Sequence, residues 1–349
     1  MVALRVGVDA WNLVGDRRGI GRYVREVVRR WACWGPARVQ PVLLIPESLP
    51  MLARNRYVRE LGVRLPVRSR RAHQGLDDVW YPWNGESWVT KLPIVATLHD
   101  ASLFHLPPDD VDVREREQRP FVQAASLARR IITDSQFSRS ELVKYLGLEP
   151  ERIDVIPLGV LEIFHHGAAD RGEAASRLLF VGGPEPRKGL DTLFAALARL
   201  ESGLRESLEI VLVGDKRADA TVAVPAGVTV RVTGWIEDGA LAEFYRNSTA
   251  LVYPSTYEGF GLPIVEAMAC GTPVIAADIP SSREAGGDAA LYVTPGDPSA
   301  LANAIVRVLC EPELRVRMAR AGSANVKNRT WDATAEETLH SLERCLQEG

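Results

Sequence analysis

Short apolar runs alternate along this 349-residue chain with longer stretches in which apolar positions recur every three or four residues. The first pattern is that of a strand buried on both faces, and the second that of a helix with one buried face. Strands are expected at Leu4–Asp9, Val42–Ile45, Val79–Tyr81, Ile94–Leu98, Ile131–Asp134 and Ile153–Ile156. A second series is expected at Leu178–Gly182, Leu208–Val213, Val228–Thr233, Ala250–Tyr253, Val274–Ala276 and Ala290–Val293. Regular alternation of the two periods predicts an α/β chain of two doubly wound, parallel-sheet units. Ligands of such sheets bind beyond the carboxyl ends of the strands. His99-Asp100, Gly182-Gly183, Gly214-Asp215 and Tyr257-Glu258 all follow strand ends.

The break between the units is expected in the small, polar stretch His166–Glu173. This gives a first domain of 1–167, completed by 331–349, and a second of 173–330. A last helix at about Trp331–Leu346 carries Ala335, Leu339, Leu342 and Leu346 on one face. A composition of 46% hydrophobic and 25% charged residues is that of a globular protein, and no apolar run approaches a membrane span. Met1–Asp9 reads as a strand and lacks the apolar region of a signal peptide. Cys33, Cys270, Cys310 and Cys345 have no metal-ligand spacing and read as reduced thiols, so a cytoplasmic setting is expected. The first 167 residues hold 24 Lys/Arg against 20 Asp/Glu, and the rest 18 against 25. The basic half is a candidate for an anionic acceptor or a peripheral membrane contact at the inner face, either through the helix bearing Arg22, Arg25 and Arg29 or through the arginines of 54–71. Few aromatics accompany that charge, which speaks against nucleic acid.

Tyr257–Pro273 carries the most chemistry. Pro263 suits the start of a helix, and Gly271 and Pro273 its end. Glu258, Gly259, Phe260, Gly261 and Leu262 then form a turn feeding a helix N-terminus, where an anion is favoured. The glycines let backbone approach a ligand, and Glu258 and Glu266, eight residues apart, lie in the loop and in the second helical turn. A diphosphate at the helix tip, with hydroxyl-bearing groups on both sides, suits this arrangement. After strand 178–182, Glu185-Pro186-Arg187-Lys188-Gly189 places two cations at another helix entrance, where they would oppose charge growing on a leaving diphosphate. Gly183 lies in the same loop, and Asp215, Lys216 and Ile236 follow later strands. Gly19 and Gly21 open the first helix without a Walker ending, and with Trp83, Asn84 and Asp100 they are candidates for an acceptor or cleft loop. The histidines show no zinc spacing.

Tyr-Glu-Gly-Phe-Gly-Leu-Pro and Glu-Ala-Met-Ala-Cys-Gly-Thr-Pro-Val-Ile resemble the E-x7-E motif of retaining GT-B glycosyltransferases of family four. Gly-Ile-Gly-Arg-Tyr, Thr-Leu-His-Asp-Ala-Ser-Leu-Phe and Glu-Pro-Arg-Lys agree with its bacterial mannosyltransferase-like branch. The resemblance covers nearly the whole chain and is densest over Leu178–Val293. It implies two Rossmann-like domains facing a central cleft, with the C-terminal helix crossing back to the first. It implies transfer of a sugar, with retention, from GDP-mannose or a UDP-sugar to a glycan, lipid-linked or small-molecule acceptor in surface polysaccharide biosynthesis. Neither a cofactor nor a metal is implied. Glu258, His99, Lys188 and Arg187 take the catalytic positions, with His99 near the donor sugar. Glu266 is expected at the ribose, together with Gly259, Phe260, Gly261, Leu262, Gly183, Asp215, Lys216 and Ile236 around the donor. Two departures are Gly183, where the family pattern has an arginine, and Leu158, where many members have asparagine. An epimerase of the same architecture, or a non-catalytic nucleotide-sugar binding protein, remains open from the residues alone.

Overall fold

The computed structural model describes residues 3–16, 19–48, 51–85, 88–165, 176–214 and 224–348. The chain divides into two compact units, Met1–Gly159 with Thr330–Gly349, and Val160–Arg329. The stretch expected to separate the domains, 166–173, lies outside the described residues.

The first unit is built on strands β1 (Leu4–Asp9), β2 (Val39–Ile45), β3 (Val67–Ser69), β4 (Asp78–Tyr81), β5 (Ile94–Thr97), β6 (Arg130–Thr133) and β7 (Ile153–Val155). Their order is β3-β2-β1-β4-β5-β6-β7, and every neighbouring pair is parallel. Helical crossovers cover the sheet, so the central strands are buried throughout, as Val6, Val8, Val79, Trp80 and Val95 are. The order reverses between β1 and β4, which marks the crevice where such sheets hold ligands.

The helix Gly19–Trp34 buries Tyr23, Val24, Val27, Val28 and Trp31, a three-to-four-residue stripe. Three of its arginines bond within the unit. Arg25 donates to the Asp16 carbonyl (2.7 Å), Arg29 to the Leu61 carbonyl (2.9 Å), and Arg30 to Glu26 (2.6 Å). Arg70, in the basic stretch, is buried and bonds Asp9 at 2.9 Å. The closing helix Trp331–Gln347 is capped by Thr330, whose hydroxyl accepts from the Ala333 N–H. It docks into this first unit. Trp31 Nε1 donates to the Ala335 carbonyl (3.0 Å), Thr334 to the Pro157 carbonyl (2.9 Å), and Ser341 to Asp154 (2.6 Å).

The second unit contains β8 (Ser176–Val181), β9 (Leu208–Val213), β10 (Thr229–Gly234), β11 (Ala250–Tyr253), β12 (Val274–Ala277) and β13 (Leu291–Val293). The order is β10-β9-β8-β11-β12-β13, again all parallel. Leu178, Phe180, Ile210, Leu212, Val252 and Ile275 meet Leu193, Phe194, Leu197, Ile305 and Val308 in its core. Here the order reverses between β8 and β11. Among the described residues, no helix is long and apolar enough to cross a membrane.

Candidate active site

The switch point of the second unit brings together two loops that are 70 residues apart in sequence. The loop after β8 makes a short 3-10 turn at Pro186–Lys188 and ends at Gly189, with φ 71°. A Cβ at Gly189 would lie 2.4 Å from the Pro254 carbonyl oxygen, so only glycine allows this approach. The Thr256 N–H donates to the Arg187 carbonyl at 2.7 Å, which ties the β8 loop to the β11 loop.

That tie places the cations against Glu258. Lys188 Nζ donates to Glu258 Oε1 at 2.7 Å, and Arg187 Nη1 donates to Glu258 Oε2 at 3.1 Å. Arg187 Nη1 also reaches the Tyr257 carbonyl at 3.1 Å. Glu258 is 7% exposed. Burial works to raise its carboxyl, but the charges of Lys188 and then Arg187 outweigh burial and hold it below the ordinary carboxylate range. Burial, with the Glu258 charge next, pushes the Tyr253 phenol well up and keeps it neutral.

Gly261, at φ 109°, turns the chain into the helix Leu262–Ala269, with Pro263 in its first turn. Gly271, at φ 69°, follows the end of this helix. Glu266 lies in the second turn, nearly fully buried, and accepts the Tyr245 hydroxyl at Oε2 (3.0 Å). Tyr245 is itself buried and packs edge-on against Phe164. Glu258 and Glu266 thus flank one helix N-terminus, whose dipole favours an anion.

Among the other donor-side candidates, Gly259 and Phe260 are buried, Leu262, Gly183 and Ile236 are half-buried, and Arg329 lies over the Phe260 ring at 5.5 Å. The two remaining ones, Asp215 and Lys216, lie outside the described residues.

In the first unit, the acceptor-side candidates collect at the carboxyl ends of β1, β4, β5 and β6. His99 is buried, with Nδ1 2.8 Å from Asp134 Oδ2 and Nε2 3.2 Å from the Pro82 carbonyl. Two acceptors on one ring require both nitrogens to carry protons. Burial works to lower its pKa, but the Asp134 charge and hydrogen bond and the Pro82 carbonyl raise it above its ordinary value. Asn84, at φ 61°, accepts the His99 backbone N–H at 2.6 Å. Trp83 donates to the Asp9 carbonyl at 2.6 Å, and Asp100 accepts the Ser102 N–H at 2.8 Å. A Cβ at Gly21 would lie 1.9 Å from the Asp16 carbonyl oxygen, so this residue lets the preceding loop sit on the helix. Gly19 begins that helix. Asn84 and His99 bond each other, while Trp83 and Asp100 bond neighbouring backbone, and the side chain of His99 joins the loops of Pro82 and Asp134.

Two partners were not foreseen from sequence. Asp134 follows β6 at the same edge as His99, so the strand-end rule that singled out His99 reaches it too. Tyr245 lies on the helix Asp238–Arg246, 21 residues before Glu266, and nothing in the local pattern sets it apart.

Residues 175–311 match the family described as Glycosyl transferases group 1, and residues 78–161 match Glycosyltransferase Family 4. O-antigen chain mannosyltransferase B of Escherichia coli is 32% identical over 270 residues, spanning 71% of this chain and 69% of that protein. A D-inositol 3-phosphate glycosyltransferase of Acidothermus cellulolyticus is 33% identical over 285 residues, spanning 74% of this chain and 63% of that protein. The chain therefore spans about two thirds of the length of these curated relatives. Sucrose-phosphate synthase from Thermosynechococcus elongatus superposes with a TM-score of 0.77 over 99% of this chain and 100% of that one, at 20% identity. Anabaena HepE in complex with UDP and glucose gives 0.72 at 19% identity, covering 98% of this chain and 99% of that one. The fold, the E-x7-E helix and these matches agree: the chain belongs to glycosyltransferase family 4 and has the GT-B architecture of two Rossmann-like domains.

Proposed function

We propose that this glycosyltransferase takes a nucleoside diphosphate sugar as donor and transfers the sugar with retention of anomeric configuration, without a metal. The observation that carries the reading is the meeting of Lys188, Arg187 and Glu258 at the β8/β11 switch point, beside the helix that bears Glu266. Two cations and a helix N-terminus supply positive charge where a leaving diphosphate gathers negative charge, so the reading needs no metal ion. Glu266, fixed by Tyr245, keeps a carboxylate oriented to accept from ribose hydroxyls. Glu258 accepts from hydroxyls of the donor sugar once the cations turn to phosphate. Gly183 leaves Arg187 and Lys188 to carry the diphosphate without an arginine directly after β8. Attack and departure on one face, with the leaving phosphate assisting, accounts for retention without an enzymic nucleophile.

The donor is GDP-mannose or a UDP-sugar. The first choice rests on likeness to the O-antigen mannosyltransferase, and the second on a structural neighbour solved with UDP and glucose. The acceptor is a glycan, a lipid-linked glycan or a small hydroxyl compound, taken at the carboxyl edge of the first unit's sheet by the loops of Gly19–Gly21, Trp83–Asn84 and Asp100. Surface polysaccharide synthesis at the cytoplasmic side is the setting this implies. Of the arginines that suggested a membrane surface, Arg25, Arg29 and Arg70 are bonded within their own unit, which leaves the exposed Arg56, Arg59, Arg64 and Arg71 to make such a contact. The test is a panel of nucleotide-sugars incubated with the protein, with release of nucleoside diphosphate measured with and without candidate acceptors. Release from one donor, stimulated by an acceptor and insensitive to a chelator, supports the reading. Interconversion of the sugar with no diphosphate released, or binding with no release, refutes it.

A further inference from the structure

Glu258 occupies the space in which the two diphosphate-binding cations are to act. Its Oε1 takes Lys188 Nζ at 2.7 Å and its Oε2 takes Arg187 Nη1 at 3.1 Å, so both carboxylate oxygens are used at once. The three side chains are 15% (Lys188), 24% (Arg187) and 10% (Glu258) exposed, a setting in which water screens the pair only in part. The backbone cannot relieve the competition, since the Thr256–Arg187 hydrogen bond and the Gly189–Pro254 contact hold both loops in place. An arriving diphosphate therefore has to take ammonium and guanidinium protons that a carboxylate already holds. The buried carboxylate it displaces keeps Tyr253 and Ser255 beside it but loses both cations, and it needs further donors in their place, because a buried anion short of partners is costly.

A nucleotide-sugar brings such donors in the hydroxyls of its sugar. A bare nucleoside diphosphate, the product of transfer, has hydroxyls only on its ribose, which the reading above gives to Glu266. We propose that Glu258 is an internal stand-in for the diphosphate and selects against the bare nucleoside diphosphate, favouring the donor and release of the spent product. This rests on the nucleotide-sugar reading above and adds to it a role for Glu258 that opposes phosphate binding. Removing the charge of Glu258 then has opposite effects on the two ligands. The nucleoside diphosphate binds more tightly, while the nucleotide-sugar gains little or loses affinity along with its sugar contact.

Titration calorimetry with GDP and UDP, and with the nucleotide-sugar the protein turns over, tests this on the full chain. Glu258→Gln is expected to bind the diphosphate about three- to tenfold more tightly than wild type, less than the coupling measured for close charge pairs, because the amide oxygen still accepts from a cation. The ratio of the donor's Kd to the diphosphate's Kd should rise with it. If Glu258→Gln does not fold, Glu258→Asp serves, since its shorter arm cannot span both cations and a smaller gain is expected. Wild-type protein that binds the diphosphate, with neither variant binding it more tightly, overturns the proposal alone. Wild-type protein that binds neither GDP nor UDP overturns the nucleotide reading and this proposal with it.

Discussion

Tyr245→Phe isolates a single hydrogen bond behind the proposed ribose contact. The tyrosine ring is fully buried, its edge against Phe164, and its hydroxyl lies 3.0 Å from Glu266 Oε2. Phenylalanine keeps the ring and removes the donor. Hydrogen bonds to charged groups contribute about 1.5–3 kcal/mol, so the free protein should lose a stability of that order. For a unit of this size, about 1 kcal/mol corresponds to roughly 2–4 °C in Tm. Affinity falls for a different reason. A carboxylate no longer held at Oε2 must be ordered by the ligand, at about 0.5–1.5 kcal/mol for one immobilised side chain, or about two- to tenfold in Kd.

The assay is calorimetry with the nucleoside diphosphate and with its 2′-deoxy analogue, beside thermal unfolding. Wild type should prefer the ribonucleotide, and Tyr245→Phe should narrow that preference, as Glu266→Gln does more strongly. A structural role alone would lower Tm and leave the preference intact. A variant with wild-type discrimination would therefore refute the claim that Tyr245 aims Glu266 at the ribose.

Three further outcomes are expected. Lys188→Ala should lower turnover by about two to three orders of magnitude, corresponding to the loss of one stabiliser of developing charge, and should also lower Tm, because the buried Glu258 loses its nearest cation; a folded variant with near-wild-type turnover would contradict its role. Gly189→Ala should destabilise the second unit by more than the roughly 1 kcal/mol of a left-handed alanine, because its Cβ meets the Pro254 carbonyl, whereas Gly271→Ala, at φ 69° with open space, should show the smaller cost only; equal effects on chemical denaturation would remove the argument. The His99 pKa is raised in the folded state, so its charged pair with Asp134 stabilises the first unit fully below its ordinary value and is lost as pH rises through the raised one. The stability difference between wild type and His99→Gln should then shrink from about pH 6.5 upward, and a difference constant with pH would refute the charged state of the ring.

The fold was legible because the strands that build it are buried on both faces. Leu4–Asp9, Leu208–Val213 and Ala250–Tyr253 have the bounds their apolar runs predicted. The strand Val67–Ser69 was not foreseen. It is a three-residue edge strand, half-buried throughout, in an arginine-rich stretch with no apolar run to betray it. In the same stretch, whose charges suggested a surface for an anionic partner, Arg56, Arg59, Arg64 and Arg71 are exposed whereas Arg70 is buried on Asp9, and sequence does not show which arginine of a cluster turns inward. The donor helix was legible from its punctuation, Gly261 and Pro263 before it and Gly271 after it, each tied to a backbone conformation. Tyr245 and Asp134 were missed because each acts through a neighbour, and a hydrogen bond across 21 or 35 residues leaves no local trace.

The roles assigned to Arg187 and Lys188 from sequence were those of cations waiting for phosphate. The structure adds what holds the two cations side by side in a partly buried site: both donate to the Glu258 carboxylate. Left together they would repel, since like charges close together in a partly buried site are unfavourable. Glu258 offsets that repulsion, and the same two charges hold its own carboxyl low despite burial. On the proposed reading, the carboxylate that pairs with both cations is therefore the group that a diphosphate must outcompete. A residue read from its motif as a contact to the sugar is, in the folded chain, equally the partner of both cations. Glu258→Gln should lower Tm in the absence of ligand even where it raises affinity for the nucleoside diphosphate. Saturating diphosphate should restore part of that loss, because the ligand then supplies the negative charge that the glutamate had provided.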